Sequence, residues 1–166
     1  MIRQATLNDV AKMEELMYSS FGNREDATSF RLHTDKYLVY EVDDKIVAMT
    51  GILYSNEYKA LEIGWTCTHP DYRQLGIMHK LFEEILKEVK ENVYCSCWHL
   101  SDREHINLYK LMRDFNFICV ARPRVSWVNG HNCHHNMTDN LCTYCTGDGC
   151  HCTEELYFRE YIREGD

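Results

Sequence analysis

Short apolar runs separated by polar residues dominate the first part of the chain, and they predict strands. Residues 37–42 and 45–54 form two such runs on either side of Asp43-Asp44, and a two-residue polar break between apolar runs is typical of a β-hairpin. Further runs predict strands over residues 2–5, 59–68, 94–100, 117–120 and 156–161.

After Gly76 the apolar residues recur every three or four positions, and charged residues fill the positions between them as far as residue 89. This spacing predicts an amphipathic helix with one broad apolar stripe. Similar spacing predicts helices that begin near residue 10 and over residues 106–114, and Thr6 with Asp9 predicts the N-terminal cap of the first. Residues 21–35 are predicted to be a loop and a short helix. Strand runs with interspersed helices on a mostly antiparallel sheet predict an α+β layer fold.

The composition indicates one domain of 166 residues with an acidic surface. With 18 Lys and Arg against 26 Asp and Glu, the formal net charge is -8. This charge disfavours a nucleic-acid partner, because proteins that bind nucleic acid carry a basic surface. The sequence has no signal-peptide pattern and no apolar run long enough to cross a bilayer, so we expect a cytoplasmic protein without a membrane partner. Its nine cysteines then need an explanation other than disulfides.

The segment from Thr66 to Met78 joins a predicted strand to the predicted amphipathic helix. A loop that enters a helix presents unpaired main-chain N–H groups and a partial positive charge, which together bind phosphate. Gly76 allows the main chain to approach an anion closely, and Arg73 can add a charge-assisted contact. On these residues alone, an ordinary connection between a strand and a helix is the commoner explanation.

The same segment resembles the signature of the GNAT superfamily of N-acetyltransferases, which is Arg or Gln, two residues, Gly, one residue, then Gly or Ala. Arg73 and Gly76 match this signature, and Met78 departs from it at the last position. The preceding His69-Pro70-Asp71-Tyr72 and the opening residues 2–6 with Asp9 are also similar to that family. The resemblance covers about residues 1–120 and the final strand. It implies a single domain over residues 1–166, with a mixed, mostly antiparallel sheet between layers of helices.

The resemblance also implies acetyl-CoA as co-substrate and a primary amine of a small molecule or peptide as acceptor, with direct attack in a ternary complex. The CoA diphosphate would lie on the amides of residues 75–80, and the pantetheine arm would follow the strand edge at residues 66–68. A bulge would separate this strand from the next one. The implied cofactor-binding residues are Thr66, Cys67, Thr68, Arg73, Gln74, Leu75, Gly76, Ile77 and Met78.

The catalytic groups follow from the same resemblance. Glu62 matches a glutamate that deprotonates the amine in the histone-acetyltransferase branch, although a solvated strand residue explains it equally well. A main-chain N–H near Cys67 would bind the oxyanion. The tyrosine that protonates the CoA thiolate has Met112 at its matching position, which leaves Tyr109, one helical turn earlier, as the candidate acid or as a core aromatic. A ping-pong route through Cys97 and His99 is the less favoured alternative, because strand cysteines are usually buried.

Residues 125–153 form an insert rich in Cys and His. Cys142 and Cys145 have the spacing of a zinc knuckle, and Cys150 and Cys152 share one face of an extended segment, so these four cysteines predict a closed structural Zn²⁺ site with Cys133 as an alternate ligand. Free thiols in a loop and an iron–sulfur cluster are the alternatives. The insert precedes the last strand, where it would border the acceptor pocket or form a homodimer contact.

A second functional hypothesis follows from the missing helix tyrosine. The chain could bind acyl-CoA without turnover and dock a partner through its metal-binding loop. A third, a zinc-ribbon nucleic-acid protein, is disfavoured by the charge of -8.

Overall fold

A computed structural model describes residues 1–21, 31–99, 108–121 and 153–162. These residues form one mixed sheet with helices on both faces, which confirms the predicted α+β class. The strands are β1 (Ile2–Gln4), β2 (Tyr37–Val42), β3 (Lys45–Ser55), β4 (Ala60–Thr68), β5 (Val93–His99), β6 (Ile118–Ala121) and β7 (Thr153–Arg159). The helices are α1 (Val10–Phe21), α2 (Ile77–Lys87) and α3 (Leu108–Asp114), with 3-10 turns at Leu7–Asp9, Thr34–Lys36 and Pro70–Tyr72. None of the described helices is long and apolar enough to cross a membrane.

The seven described strands lie in the order β1-β2-β3-β4-β5-β7-β6. Neighbours are antiparallel except for the central pair of β4 and β5, which is parallel. Parallel neighbours need a crossover connection, and α2 supplies it between these two strands. The final strand begins three residues earlier than the pattern predicts, because Thr153 already pairs with His99.

The predicted hairpin between β2 and β3 is confirmed. Asp43 and Asp44 form its two-residue turn with φ angles of 47° and 61°. Positive φ at both central residues is the geometry that matches the twist of the flanking strands, and aspartate tolerates it better than most residues.

The predicted cap at Thr6 and Asp9 is also present and extends into an ionic cluster. The Thr6 N–H and hydroxyl both donate to Asp9 Oδ2 at 2.8 Å. Arg3 donates to both oxygens of Asp9 at 2.8 Å and to Glu41 at 2.7 Å. The start of the first helix is therefore tied to β1 and β2.

Helices pack on both faces of the sheet. On the α1 face, α1 residues such as Met13 and Met17 pack with Val39, Met49 and Cys67. On the α2 face, helices α2 and α3 pack with the sheet through buried residues that include Phe82, Met112, Ile63, Val93, Cys95, Cys97 and Tyr157. A neighbouring cluster on α2 joins Ile77 and Leu81 to Val47 and Ala48. The apolar stripe predicted for α2 is the surface that makes these contacts.

Candidate active site

The centre of the sheet is split between β4 and β5. The two strands pair only from Leu61 opposite Val93 to Ile63 opposite Cys95. β4 nevertheless continues to Thr68 and β5 to His99. Beyond Ile63 each strand therefore presents a main-chain edge toward the split, where N–H and C=O groups can pair with an inserted ligand.

A β-bulge in β4 accompanies the split, as the resemblance implied. Met49 pairs with Cys67, but Gly51 pairs with Gly64, so β4 contains one residue more than β3 between these pairs. Trp65 lies in this stretch with a φ of 52°. Beside it the hydroxyls of Thr50 and Thr66 are 2.8 Å apart. Since a bulge bends its strand and increases the local twist, this bulge accounts for the separation of β4 from β5.

The bulge also changes which side chains share a face. Ile63 packs on the α2 face, so Glu62 and Gly64 lie on the α1 face. After the bulge Cys67 packs on the α1 face, which places Thr66 and Thr68 on the α2 face. Glu62 and the two threonines, which would share one face of a regular strand, are thus on opposite faces of the sheet.

Main-chain directions on β4 identify the N–H groups that face the split. The His69 N–H donates to the Val47 carbonyl of β3 at 2.8 Å. Because amides alternate in direction along an antiparallel strand, the Cys67 N–H is also directed to β3, while those of Thr66 and Thr68 are directed to the split. An oxyanion donor in the split would therefore come from Thr66 or Thr68 rather than from Cys67.

The loop that follows β4 has an open main chain. Gln74 and Gly76 have φ angles of 62° and 71°, in the left-handed region, and residues 74–76 are exposed. Left-handed residues in a loop turn successive N–H groups toward one side, which forms a concave site for anions. The first helical bond of α2 joins the Lys80 N–H to the Gly76 carbonyl at 3.2 Å, so the amides of the first turn have no acceptor within the helix.

Side chains at the start of α2 anchor this loop to the hydrophobic core. Ile77 is buried against Val47 and Ala48, and Met78 packs against both clusters on α2. Met78, which departs from the family signature, therefore packs toward the core and does not cover the exposed main chain of residues 74–76. Arg73 donates through Nε to the Thr68 carbonyl at 3.2 Å, which links the end of β4 to the loop.

The structure does not bring the two predicted catalytic side chains together. Glu62 is half-buried on the α1 face of β4. Tyr109 belongs to α3, which packs on the α2 face through Met112, and it is 58% exposed. Groups on these two residues could reach a ligand in the split only from opposite faces of the sheet.

Two of the described strand cysteines, Cys67 and Cys95, are poor nucleophiles. Cys67 is buried against Met17, with the two sulfurs 3.8 Å apart, and burial raises the pKa of its thiol to about 12. The pKa of Cys95 is raised well above its ordinary value by its hydrogen bond with Cys97, 3.8 Å away, and by burial. Since the thiolate is the reactive form, neither thiol is suited to accept an acetyl group at neutral pH.

A protein-family model identifies the chain. The model of the acetyltransferase (GNAT) family matches residues 6–115, which is more than half of the sequence. The chain belongs to the GNAT acetyltransferase family. The matched residues include β4, its bulge, the loop and α2.

Solved structures of GNAT proteins share the fold. The ribosomal-protein-S18-alanine N-acetyltransferase of Escherichia coli superposes with a TM-score of 0.70 at 12% identity, covering 100% of this chain and 96% of the other. An N-acetyltransferase of Staphylococcus aureus gives 0.70 at 13% identity, with 98% of each chain covered. N-acetylglutamate synthase of Neisseria gonorrhoeae, complexed with coenzyme A and L-arginine, gives 0.62 at 12% identity over 98% of this chain and 33% of that one. No curated protein matches the sequence significantly.

The predicted metal ligands Cys133, Cys142, Cys145, Cys150 and Cys152 lie outside the described residues. Within the described part of the chain, no group of three or more His, Cys, Asp or Glu side chains could hold a metal ion.

Aromatic residues beside Glu62 were missed from the sequence. Tyr94 of β5 lies opposite Glu62, and its ring packs between those of Tyr58 and Phe158. The alternation of side chains along β5 could have indicated the face of Tyr94, since its neighbours Val93 and Cys95 are both buried and Tyr94 must lie on the opposite face. The alternation does not indicate which rings from other strands contact Tyr94.

Proposed function

We propose that this protein transfers the acetyl group of acetyl-CoA to a primary amine by direct attack in a ternary complex. The observation that carries the proposal is two separate sets of main-chain donors, one in the split and one at the start of α2. Thr66 and Thr68 direct N–H groups into the split, and the left-handed residues Gln74 and Gly76 lead directly to the helix N-terminus. Between the two sets, the N–H groups of residues 69 and 71–73 are bonded within the fold. The two sets suit a long ligand with amides at one end and a diphosphate at the other.

The pantetheine arm of acetyl-CoA would pair with β4 at residues 66–68, and its diphosphate would lie on the amides of residues 74–78. The site would also be shaped by the side chains around these amides, which are those of Arg73, Leu75, Ile77 and Met78. A diphosphate at a helix N-terminus needs few basic side chains, because main-chain N–H groups and the helix dipole supply the positive potential. The site is therefore compatible with a net charge of -8.

In the proposed reaction, Glu62 accepts a proton from the ammonium group of the acceptor. The neutral nitrogen attacks the thioester carbon, and the N–H groups of Thr66 and Thr68 stabilise the resulting oxyanion. When the C–S bond breaks, the CoA thiolate takes a proton from Tyr109 or from water, and the proton that the nitrogen releases as the amide forms restores that donor. Cys97, the nucleophile of the ping-pong alternative, is buried in the core of the α2 face, which favours this direct route over an acetyl-cysteine intermediate.

Two variants test the proposal. Gly76→Ala places a Cβ on a left-handed residue of the loop, where the strain is about 1 kcal/mol, and we expect about fivefold weaker CoA binding by calorimetry. Glu62→Gln should bind CoA normally but lower kcat by about a hundredfold or more, since it removes the base. Tyr54→Ala, a change at a 60% exposed side chain of β3, is the control.

The proposal fails if the folded protein binds neither CoA nor acetyl-CoA. Binding of acetyl-CoA without release of free CoA in the presence of polyamines, aminoglycosides, amino acids or peptides would instead favour a silent acyl-CoA sensor.

We also propose that residues 125–153 hold a structural Zn²⁺ on Cys142, Cys145, Cys150 and Cys152, with Cys133 as alternate ligand. β6 and β7 pair in antiparallel fashion, so the chain between Ala121 and Thr153 must return to its neighbouring strand, and a metal bound by four thiolates would close this long connection. Elemental analysis should give about one zinc per chain, reduced in a Cys142→Ser and Cys145→Ser double variant. A metal-free wild-type protein with unchanged stability would contradict the proposal.

A further inference from the structure

Three aromatic rings form a row beside Glu62, which we call the aromatic strip. Tyr58 comes from the turn between β3 and β4, Tyr94 from β5 and Phe158 from β7. The Tyr58 and Tyr94 rings are stacked with centroids 5.1 Å apart, and those of Tyr94 and Phe158 are tilted at 5.0 Å. Residues distant in the sequence thus build one continuous apolar surface.

The aromatic strip lies on the same face as Glu62. Val93, Cys95 and Tyr157 are buried on the α2 face, so their neighbours Tyr94 and Phe158 are on the α1 face. Glu62 is in register with Tyr94 across the parallel pair, and Tyr94 is in register with Phe158 across the next pair. Neighbouring strands are about 4.8 Å apart, so the carboxylate and the strip are adjacent.

In the described part of the chain, α1 covers only one half of this face. Its buried cluster contains residues of β2, β3 and the end of β4, such as Val39, Met49 and Cys67. The rings of the aromatic strip are each only half-buried. Next to Glu62, a Cβ added to Gly64 would meet no described atom within 4 Å. Among the described residues, none fills the space beside Gly64, which leaves room there for a small group.

This arrangement fixes the direction from which an acceptor amine can approach. The proposed donor occupies the split beyond Ile63, toward the ends of β4 and β5. An amine that reaches the thioester past Glu62 must therefore come from the other end of the β4–β5 pair, where Tyr94 and its neighbours lie. The part of the acceptor that follows the amine then rests on the aromatic strip.

The chemistry of the aromatic strip selects what that part can be. Stacking of Tyr58 on Tyr94 covers one face of each ring, and the remaining ring surface is apolar apart from the two hydroxyls. Such a surface suits aromatic or aliphatic carbon, and the three rings offer no carboxylate for a second ammonium group. Glu62 supplies the one carboxylate that the proposal uses.

We propose that the acceptor is a monocationic primary amine joined by a short linker to an aromatic ring, an arylalkylamine, with its ring on the strip and its ammonium at Glu62. The strand spacing sets the distance from the nitrogen to the ring centre at roughly 5 to 10 Å, which is a linker of about two to four carbons. This inference rests on the proposed function for the role of Glu62.

Binding to the CoA-loaded protein tests the inference without turnover. By calorimetry, phenethylamine should bind about tenfold to a hundredfold more tightly than ethylamine, because its ring buries apolar surface on the strip. 1,4-Diaminobutane should bind no more tightly than ethylamine. In Tyr94→Leu and Phe158→Leu the advantage of phenethylamine should fall at least about fivefold, while ethylamine binding stays constant. Tyr54→Ala should leave both unchanged.

Tyr58→Ala, in a turn, gives the same test if a strand variant does not fold. Equal affinities for phenethylamine and ethylamine, or tighter binding of the diamine, would overturn the inference and leave acetyl transfer intact. A ring preference that the strip variants do not alter would also overturn it. Selective phenethylamine binding without acetylation of any amine would instead contradict the proposed function, while the assignment of the aromatic strip as the binding site for the ring would stand.

Discussion

Arg3 joins two acidic side chains from different parts of the fold. It forms two hydrogen bonds with Asp9, which is only 4% exposed, and one with Glu41 of β2. The hydrogen bonds from Arg3 are the main cause that lowers the pKa of Asp9 far below its ordinary value, and Thr6 adds to the effect. A carboxylate this deeply buried depends on its partner, since an uncompensated buried charge is strongly destabilising.

Arg3→Met should therefore lower the free energy of unfolding at pH 7 by about 3 kcal/mol. The folded pKa of Asp9 lies below the unfolded value of about 3.9, so its stabilisation is present above that pH and is lost as the pH falls toward the folded value. The deficit of the variant should thus shrink on acidification below about pH 4. Urea titrations at several pH values measure both effects.

Lys36→Met serves as the control, because the ion pair of Lys36 with Asp35 is exposed at both ends. Such pairs contribute under about 1 kcal/mol. An Arg3→Met deficit no larger than that of Lys36→Met, or one that grows with acidification, would contradict this account of Asp9.

At the scale of elements, the bulge in β4 decides the geometry of the site. It reverses the faces on either side of Trp65, so Glu62 and Thr66 end on opposite sides of the sheet, and it separates β4 from β5. Residues 60–68 do not alternate regularly between apolar and polar side chains, so the sequence of β4 alone does not show where one extra residue is inserted. Only pairing with β3 locates it, because the bulge is a mismatch between two strands.

The paired glycines next to the bulge have different roles. A Cβ on Gly51 would lie 2.6 Å from the ring of Tyr37, which is fully buried, whereas a Cβ on Gly64 would meet no described atom within 4 Å. We expect Gly51→Ala to cost about 1 to 3 kcal/mol of stability and Gly64→Ala to change it by less than about 0.5 kcal/mol. Urea denaturation of both variants measures the difference. A reversed order would show that the opening at Gly64 is filled in solution.

At the scale of the whole molecule, two layers and the split in one sheet would together form the proposed ligand path. Among the described residues, the α2 layer packs beneath the loop at Gly76 through Ile77, while α1 packs on β2, β3 and the end of β4 and leaves the aromatic strip beside Glu62 uncovered. Donor and acceptor would meet between the layers, where β4 and β5 separate. No single element contains this site.

Hydrogen exchange should report that path directly. CoA at about 100 times its dissociation constant should slow exchange about a hundredfold for amides that it covers. We expect the slowing in residues 66–68 and 74–78 together, and little change in β1 and β2. Protection confined to the loop, with β4 unaffected, would contradict insertion of pantetheine into the split.

Local features of the fold could be predicted because they depend on neighbours in sequence. The Thr6–Asp9 cap, the Asp43-Asp44 turn and the stripe of α2 each depend on residues within one or two turns of chain, and all three are present. The loop at Arg73 and Gly76 was found for the same reason, helped by its resemblance to a family. The general acid could not be predicted from the sequence, because Tyr109 and Met112 are one helical turn apart. Only the packing of α3 shows that Met112 is buried and Tyr109 is exposed.

The sequence alone determined most of the described elements, the layer class, the family and the position of the loop that we propose for the diphosphate, because periodicity, caps and turns act over short stretches of chain. Tertiary structure decided which N–H groups face the split, that Glu62 and Tyr109 lie on opposite faces, and that Tyr58, Tyr94 and Phe158 meet. These depend on strand register and on a bulge. Register is set by contacts between segments far apart in the chain, and no local pattern encodes such contacts.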